Sequence, residues 1–292
     1  MYDMPDGRIA NPRVTVLLPC HRADEYLRVA IESILQQTLT DFELLILLDK
    51  RLWGQEAEVL RFTKSDPRAV LVPSLAVGGL AAGLNLGISR ARGEYLARMD
   101  GDDISLPQRL AAQVEFLDRH PDIVAVGSRL RLIDEHGREL SQAYPFYQTD
   151  REIRAVLPLR NPMPHPALMF RKSVLFELGG YKYAHSAEDW ELFIRMARVK
   201  GNGLHNLDQT LVQYRRHASQ ITRPELTGAV FYETAAFLFS EWLRTGSLKY
   251  LFAIGIKLPF VVRTRLALRS WKGRLRAEVT GKETGGQAGC LP

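Results

Sequence analysis

Three carboxylates stand within four residues at Asp100-Gly101-Asp102-Asp103, directly after the strand expected at 95–99. So much negative charge in one loop is costly unless a cation or a helix N-terminus offsets it. Carboxylate oxygens are ligands for hard divalent ions, and Mg²⁺ is commonly held by one or two of them together with substrate phosphates. The same residues could instead cap a helix entering at Ser105-Leu106-Pro107, because Asp is favoured at such ends. Their place at a strand end favours the metal. A second acidic group lies in Ser186-Ala187-Glu188-Asp189-Trp190-Glu191, ahead of a helical face formed by Trp190, Phe193, Ile194 and Ala197. Ser186 with Asp189 reads as a capping box, a purely structural use. As chemistry, a carboxylate at a helix N-terminus stays ionised and rigid, and Asp189 could take a proton from a hydroxyl as that hydroxyl attacks.

Other chemistries lack their residues. Gly78-Gly79-Leu80-Ala81-Ala82-Gly83 has no Lys-Ser/Thr ending, and no G-x-G-x-x-G follows the first strand, which argues against a P-loop NTPase and a nicotinamide dehydrogenase. The 7 histidines form no H-E-x-x-H or H-x-H group, and there is no G-x-S-x-G elbow. Zinc and serine hydrolases are therefore disfavoured. Cys20 and Cys290 make neither a disulfide framework nor a zinc site and fit a reducing compartment. The polar start, MYDMPDGRIANPR, does not read as a secretion signal, so a cytoplasmic location is expected.

The elements that must position these groups alternate. Apolar, β-branched 14–18 is a strand ended by Pro19, and Leu27, Ile31, Ile34 and Leu35 mark the inner face of a helix. FELLILL at 42–48 is a continuous apolar run, as expected of a central parallel strand. Weaker strands are expected at 69–72 and 123–126, with helices over 80–91 and from Pro107 through Leu110, Val114 and Leu117. Repeated strand–helix–strand units predict a mostly parallel α/β sheet, whose ligands bind at the carboxyl ends of the strands. That rule converges on Pro19-Cys20-His21-Arg22, Asp49-Lys50-Arg51 and the loop of Asp100 to Asp103.

The 292 residues carry 39 Lys/Arg against 33 Asp/Glu, a net charge of +6. Residues 224–292 hold ten Lys/Arg and five Asp/Glu, which leaves 29 basic and 28 acidic residues for 1–223. The basicity therefore belongs to the tail, and a nucleic-acid partner is not expected. Between 244 and 276 nine basic residues and no acidic one alternate with LFAI and LPFVV. That composition suits either contact with an anionic membrane surface or a basic helix folded on its own domain. No apolar run approaches the ~20 residues that span a bilayer.

The order of the segments then resembles a known family. VTVLLP at 14–19, FELLILLD at 42–49, GLAAGLNLG at 79–87 and ARGEYLARMDGDD at 91–103 come first. P-x-R at 107–109, HPALMFR at 165–171, GGY at 179–181, EDW at 188–190 and YRRH at 214–217 follow. Nine such segments over about 13–222 resemble family 2 glycosyltransferases, inverting enzymes of the GT-A fold that use nucleotide-diphospho-sugars. The resemblance implies an α/β, Rossmann-like sheet flanked by helices over 13–223, after a tail of 1–12. A basic helical extension with a disordered end would occupy 224–292. It implies that Pro19, His21, Arg22 and Asp49 hold the nucleoside, with Asn85 beside it and Asp100 toward the ribose. Asp102 would hold Mg²⁺ or Mn²⁺ on the diphosphate, and His217 or Arg216 would reach that group. Asp189 maps onto the catalytic base, Glu188 onto the acceptor site, and Asp103 carries no assigned role. The chain departs from the family at Leu48, where an acidic residue is frequent, and at Cys20-His21, where Tyr-Asn is frequent. The implied partners are a donor, first of all a UDP-sugar, and a glycan or lipid-linked acceptor, which the basic apolar tail would meet on the cytoplasmic face of the membrane. A nucleotidyltransferase would want a basic glycine-rich loop after the first strand, which is absent; an inactive homologue would lack the three key aspartates, which are present.

Overall fold

The computed structural model describes residues 11–73, 79–182, 187–217 and 228–258. The chain divides into two units, Met1–Arg223 and Pro224–Pro292. In the first, β1 (Val14–Cys20), β2 (Phe42–Leu48), β3 (Ala69–Pro73) and β4 (Tyr95–Arg98) pair in parallel in the order β3-β2-β1-β4. All seven residues of β2 are buried, as a strand covered on both faces requires. Helices α1 (Glu25–Leu35), α2 (Glu56–Phe62) and α3 (Gly79–Arg90) make the crossovers. Asp24 caps α1 by accepting the Leu27 N–H at 3.1 Å, an interaction worth about 1 kcal/mol. Leu27, Ala30, Ile31 and Ile34 point inward, while Leu35 is only half-buried.

Beyond β4 the sheet becomes mixed and curls. The short β5 (Ile104–Ser105) and helix α4 (Arg109–Arg119) precede β6 (Ile123–Ile133); α5 (Asp150–Val156), β7 (Met169–Arg171), α6 (Lys172–Glu177), α7 (Glu188–Arg198) and β8 (Gly203–Arg215) follow. The strand order is β3-β2-β1-β4-β7-β6-β8-β5. β5 leaves β4 after only a few residues yet pairs at the far end with β8, Ile104 opposite Gln213 and Ser105 opposite Val212. That return folds the acidic loop between β4 and β5 against the end of β8. The sequence carries no local sign of it, because β5 is two residues long.

Three boundaries differ from the sequence expectation. β1 runs through Pro19 to Cys20. A proline is tolerated there because pairing with β4 stops at Leu17–Arg98, so no partner asks for the missing N–H. Pro107 is not the first helical residue: it lies in a turn whose carbonyl accepts the Thr38 N–H at 2.8 Å, and α4 begins at Arg109. β6 extends to Ile133 because β8 pairs with it in parallel along that length, although Arg129 and Arg131 face solvent. The tail before residue 11 and everything after 258, including the end expected to be disordered, lie outside the described residues.

In the second unit α8 (Gly228–Thr245) turns at Gly246, whose φ of 67° favours glycine, into α9 (Leu248–Lys257). Among the described residues no helix is long and apolar enough to cross a membrane.

Candidate active site

The loop after β4 is built on buried charge. Asp103, fully buried, accepts the Arg215 N–H on Oδ1 at 2.8 Å, while its Oδ2 has no hydrogen-bond partner among the described residues. Arg215 in turn donates from Nε to the Asp102 carbonyl at 2.9 Å and lies over the Tyr26 ring at 4.6 Å. Asp103 is thus the tie between loop and β8, the role the sequence left open. His217, just past the end of β8, places Nε2 at 3.0 Å from Asp102 Oδ2. Asp100 pairs with the buried Arg98. One ligand atom from each of Asp100, Asp102 and Asp103 lies within 4.8 Å of the others. Burial and then the Asp100 charge push the carboxyls of Asp102 and Asp103 above the usual range. Close, mutually repelling carboxylates with an orphaned buried oxygen are a donor set for a hard divalent cation, so these residues fit Mg²⁺ or Mn²⁺.

A second centre opens α7. Ser186 lies outside the described residues, so its capping box with Asp189 does too. Ala187, left-handed at φ 62°, turns the chain into the helix at Glu188. Asp189 accepts the Trp190 N–H on Oδ1 at 2.6 Å and the Asn161 Nδ2 on Oδ2 at 2.7 Å. Trp190 anchors this turn by donating Nε1 to the Leu157 carbonyl at 2.7 Å. The His165 Nδ1 stands 3.9 Å from Glu188 Oε1 and 4.0 Å from Asp189 Oδ2, and its Nε2 is 2.8 Å from the Tyr181 hydroxyl. Burial, followed by the Arg98 charge, holds His165 well below its ordinary value, so it is neutral and these approaches are not ion pairs. Burial and the neighbouring Asp189 push Glu188 up to about 7. Asp189 is raised by burial but pulled back by the Trp190 N–H, Arg98 and Asn161.

Arg98 joins the two centres. It projects from β4 with its side chain 5% exposed, and its charge acts on Asp100 on one side and on Glu188, Asp189 and Tyr181 on the other. Its carbonyl is held by Arg109 Nη2 at 2.6 Å; the Arg109 side chain is fully buried and its pKa lowered to about 9 by burial and by Arg98. Sequence reasoning missed Arg98, Asn161, His165 and Tyr181 as site residues. For Arg98 a signal was present: an arginine in an apolar central strand must have an acidic partner.

Pro19, His21 and Arg22 stand at the carboxyl end of β1, and Asp49 at that of β2, its N–H donating to the Cys20 carbonyl at 2.9 Å. Arg51 holds the Asp49 carboxylate from Nε at 2.7 Å and lowers its pKa. Burial and then Arg51 and Arg22 lower His21, while Asp102 and Asp49 act against them. His21 is therefore within electrostatic reach of both acidic strand ends. Arg22 and Arg216 are exposed, and Arg216 donates to Gln142 Oε1 at 2.6 Å. Asn85, expected beside the nucleoside, is tied to the chain itself. Both ends of its carboxamide are engaged by the Tyr181 backbone, Nδ2 to the carbonyl and Oδ1 to the N–H, each at 2.8 Å. Gly180 has φ 66° and no room for a Cβ against Asn85 Oδ1, which explains the glycine there.

The sequence model described as Glycosyl transferase family 2 matches residues 15–178. The chain belongs to family 2 of the glycosyl transferases. It is 34% identical over 233 residues to the O-antigen biosynthesis glycosyltransferase WbnJ of Escherichia coli, covering 79% of this chain and 89% of that one. It is 31% identical over 200 residues to the amylovoran biosynthesis glycosyltransferase AmsE of Erwinia amylovora, covering 68% and 74%. Among solved structures, S. aureus TarS 1–349 with UDP-GlcNAc superposes with a TM-score of 0.61 at 17% identity, over 79% of this chain and 66% of that one. The mannosyltransferase PcManGT of Pyrobaculum calidifontis, with GDP-Man and Mn²⁺, gives 0.60 at 18% identity, over 94% and 81%. The curled, mostly parallel sheet flanked by helices is thus the GT-A fold of this family 2 member, as the sequence implied.

Proposed function

We propose that this glycosyl transferase moves a sugar from a nucleoside-diphospho-sugar to an acceptor hydroxyl with inversion, in the assembly of a cell-surface polysaccharide or glycolipid. The observation that carries the reading is the pair of acidic centres, the Asp100–Asp103 loop and Glu188–Asp189, set on one curled sheet and linked by Arg98. Asp102, with Asp100 and His217, would hold Mg²⁺ or Mn²⁺; when bound, the ion stabilises charge developing on the leaving diphosphate. Asp189 takes the proton of the attacking hydroxyl, and one base suffices because a single displacement needs no second carboxylate nucleophile. Glu188 shapes the acceptor side. Pro19, His21, Arg22 and Asp49 hold the nucleoside, and Asp100 faces the ribose. Arg216 meets the diphosphate, while Asn85 acts by holding the Tyr181 loop. The names of relatives support the pathway class, since they build O-antigen and amylovoran, and the ligands of the structural neighbours make UDP- and GDP-sugars the first donors to try.

Calorimetry on the whole chain with UDP, GDP and dTDP, each with and without Mn²⁺, tests the donor half. One nucleotide is expected to bind in a metal-dependent manner, UDP first. No binding by any of them would overturn the reading.

We also place the acceptor at an anionic membrane surface on the cytoplasmic side, with no nucleic-acid partner. On α8, Tyr232, Ala236, Phe239 and Leu243 recur at spacings that share one face, and all are exposed. Leu248 and Phe252 do the same on α9, beside Lys249. The exposed apolar face therefore begins upstream of 244–276, and the basic residues from 263 onward supply the charge complementary to anionic lipid. The full chain is expected to sediment with phosphatidylglycerol vesicles and not with phosphatidylcholine ones, and Phe239→Ser with Leu243→Ser to release it. Self-association without vesicle binding, abolished by the same variants, would assign the face to a second copy instead.

A further inference from the structure

The base proposed above sits in a hydrogen-bonded clamp that leaves Asn161 a specific task. Asn161 lies in the irregular connection after α5, and its carboxamide has a fixed sense. Its Oδ1 accepts the Met163 N–H at 3.0 Å, which turns Nδ2 toward Asp189 Oδ2 at 2.7 Å. A flipped amide would set oxygen against carboxylate and NH₂ against N–H, two repulsive contacts in place of two hydrogen bonds. Asn161 can therefore only donate to Asp189. The Trp190 N–H does the same for Oδ1 at 2.6 Å, so each carboxylate oxygen has one fixed donor and spare lone pairs.

We propose that Asn161 is a positioning residue that locks the plane of the Asp189 carboxylate and keeps its charge, so that Asp189 and not Glu188 meets the acceptor hydroxyl. The inference rests on the assignment of Asp189 as base. The two neighbouring carboxylates are distinguished by their donors. Asp189 has a side-chain amide and a backbone N–H, both of which favour the anion. Glu188 also has a backbone N–H on its carboxylate, but no side-chain donor is at hydrogen-bonding distance from it among the described residues, where the neutral His165 Nδ1 stands 3.9 Å away, so the Asn161 amide is what distinguishes the two. Among the described residues the charged and titratable groups facing Asp189 are Arg98 of β4, Glu188 of its own helix, and Tyr144, His165 and Tyr181 of the flanking segments. Of these only Arg98 is cationic, and it is shared with Asp100. Among the described residues Asn161 thus supplies the one side-chain hydrogen bond on the base that no other acid competes for.

Two variants separate this from a structural role. Asn161→Ala removes the donor. Asn161→Asp keeps the volume and the acceptor for the Met163 N–H but places a carboxylate against Asp189. If Asn161 only braces the loop, the near-isosteric Asp should do better than Ala. If it serves the base, Asp should do worse. Whole-chain kinetics at saturating acceptor are expected to show kcat down about 10–100-fold for Asn161→Ala, with donor KM and nucleotide binding within about twofold. Asn161→Asp should fall further at neutral pH, and the acid limb of its kcat profile should move to higher pH. Equal or better activity of Asn161→Asp, or an Asn161→Ala profile that superimposes on wild type, overturns the proposal. Unchanged nucleotide affinity shows that either variant is folded. The dependence on the base is read separately from Asp189→Asn: if that variant is inactive while Asn161→Asp outperforms Asn161→Ala, the base stands and the Asn161 inference falls. If Asp189→Asn still transfers sugar at the wild-type rate, both fall together.

Discussion

Asp189→Asn is expected to lower kcat for sugar transfer by about 10³-fold while leaving nucleotide affinity within about twofold. The amide cannot take a proton, and one of its ends must oppose the Trp190 N–H or the Asn161 Nδ2 that now clamp two oxygens. Transfer at the wild-type rate would remove Asp189 from the mechanism. The same centre makes a pH prediction through Glu188. Its carboxyl is pushed to about 7, from an ordinary 4.5, chiefly by burial. A raised carboxyl pKa means that the folded state prefers the protonated acid. Its stabilising contribution is whole below the unfolded value of 4.5 and is lost as pH rises through about 7. Glu188→Gln mimics the protonated form at every pH. It should therefore match wild type in melting temperature at pH 4.5 and exceed it at pH 8, by on the order of 1–3 kcal/mol at most. A difference of equal size at both pH values would show that Glu188 does not enter the folded state at the cost of its charge. Because Glu188 shapes the acceptor side and the base is its neighbour, Glu188→Gln should raise the acceptor KM while keeping kcat at saturating acceptor within about tenfold.

What the sequence could and could not reveal follows from where the interactions lie. β2, α1 and the acidic loop were legible because their signals are local: a seven-residue apolar run, a 3.6-residue stripe, three aspartates at a strand end. The mutual placement of the two acidic centres was not, because it depends on contacts between residues far apart in sequence. Asp102 meets His217 only because the two-residue β5 crosses to β8, and nothing in Ile104-Ser105 announces such a crossing. The family resemblance supplied that pairing as an order of motifs without its physical reason. Asn161 and His165 illustrate the same limit. Each is an ordinary polar residue beside a proline, and only the fold brings them to Asp189. Asn85 shows what a residue type alone leaves open. A polar residue in a glycine-rich helix near a strand end invites a ligand-contact reading, yet its amide is committed to the Tyr181 backbone at both ends. A residue type that suits a ligand suits a buried backbone equally well, and the two are told apart only by counting donors and acceptors in three dimensions.

That counting also sets the second large effect, at Asp102. Asp102→Ala is expected to weaken nucleotide binding in the presence of Mn²⁺ by at least about 100-fold, roughly 2.7 kcal/mol, and to abolish the difference between titrations with and without the ion. The loop should nevertheless survive the change. Its attachment to β8 runs through the Asp103 carboxylate and the Asp102 carbonyl, both held by Arg215, and neither is the side chain removed. What Asp102→Ala takes away is a carboxylate that burial and Asp100 already disfavour as an anion, so the ion-free protein should melt no lower than wild type. Loss of metal-dependent binding without loss of stability is the signature of a charge kept for its ligand rather than for the fold. Retained Mn²⁺ dependence in Asp102→Ala would mean that the ion is held without this carboxylate. A lowered melting temperature would mean that the hydrogen bond between His217 Nε2 and the Asp102 carboxylate, at 3.0 Å, braces the end of β8 more than the Asp102 charge strains the loop.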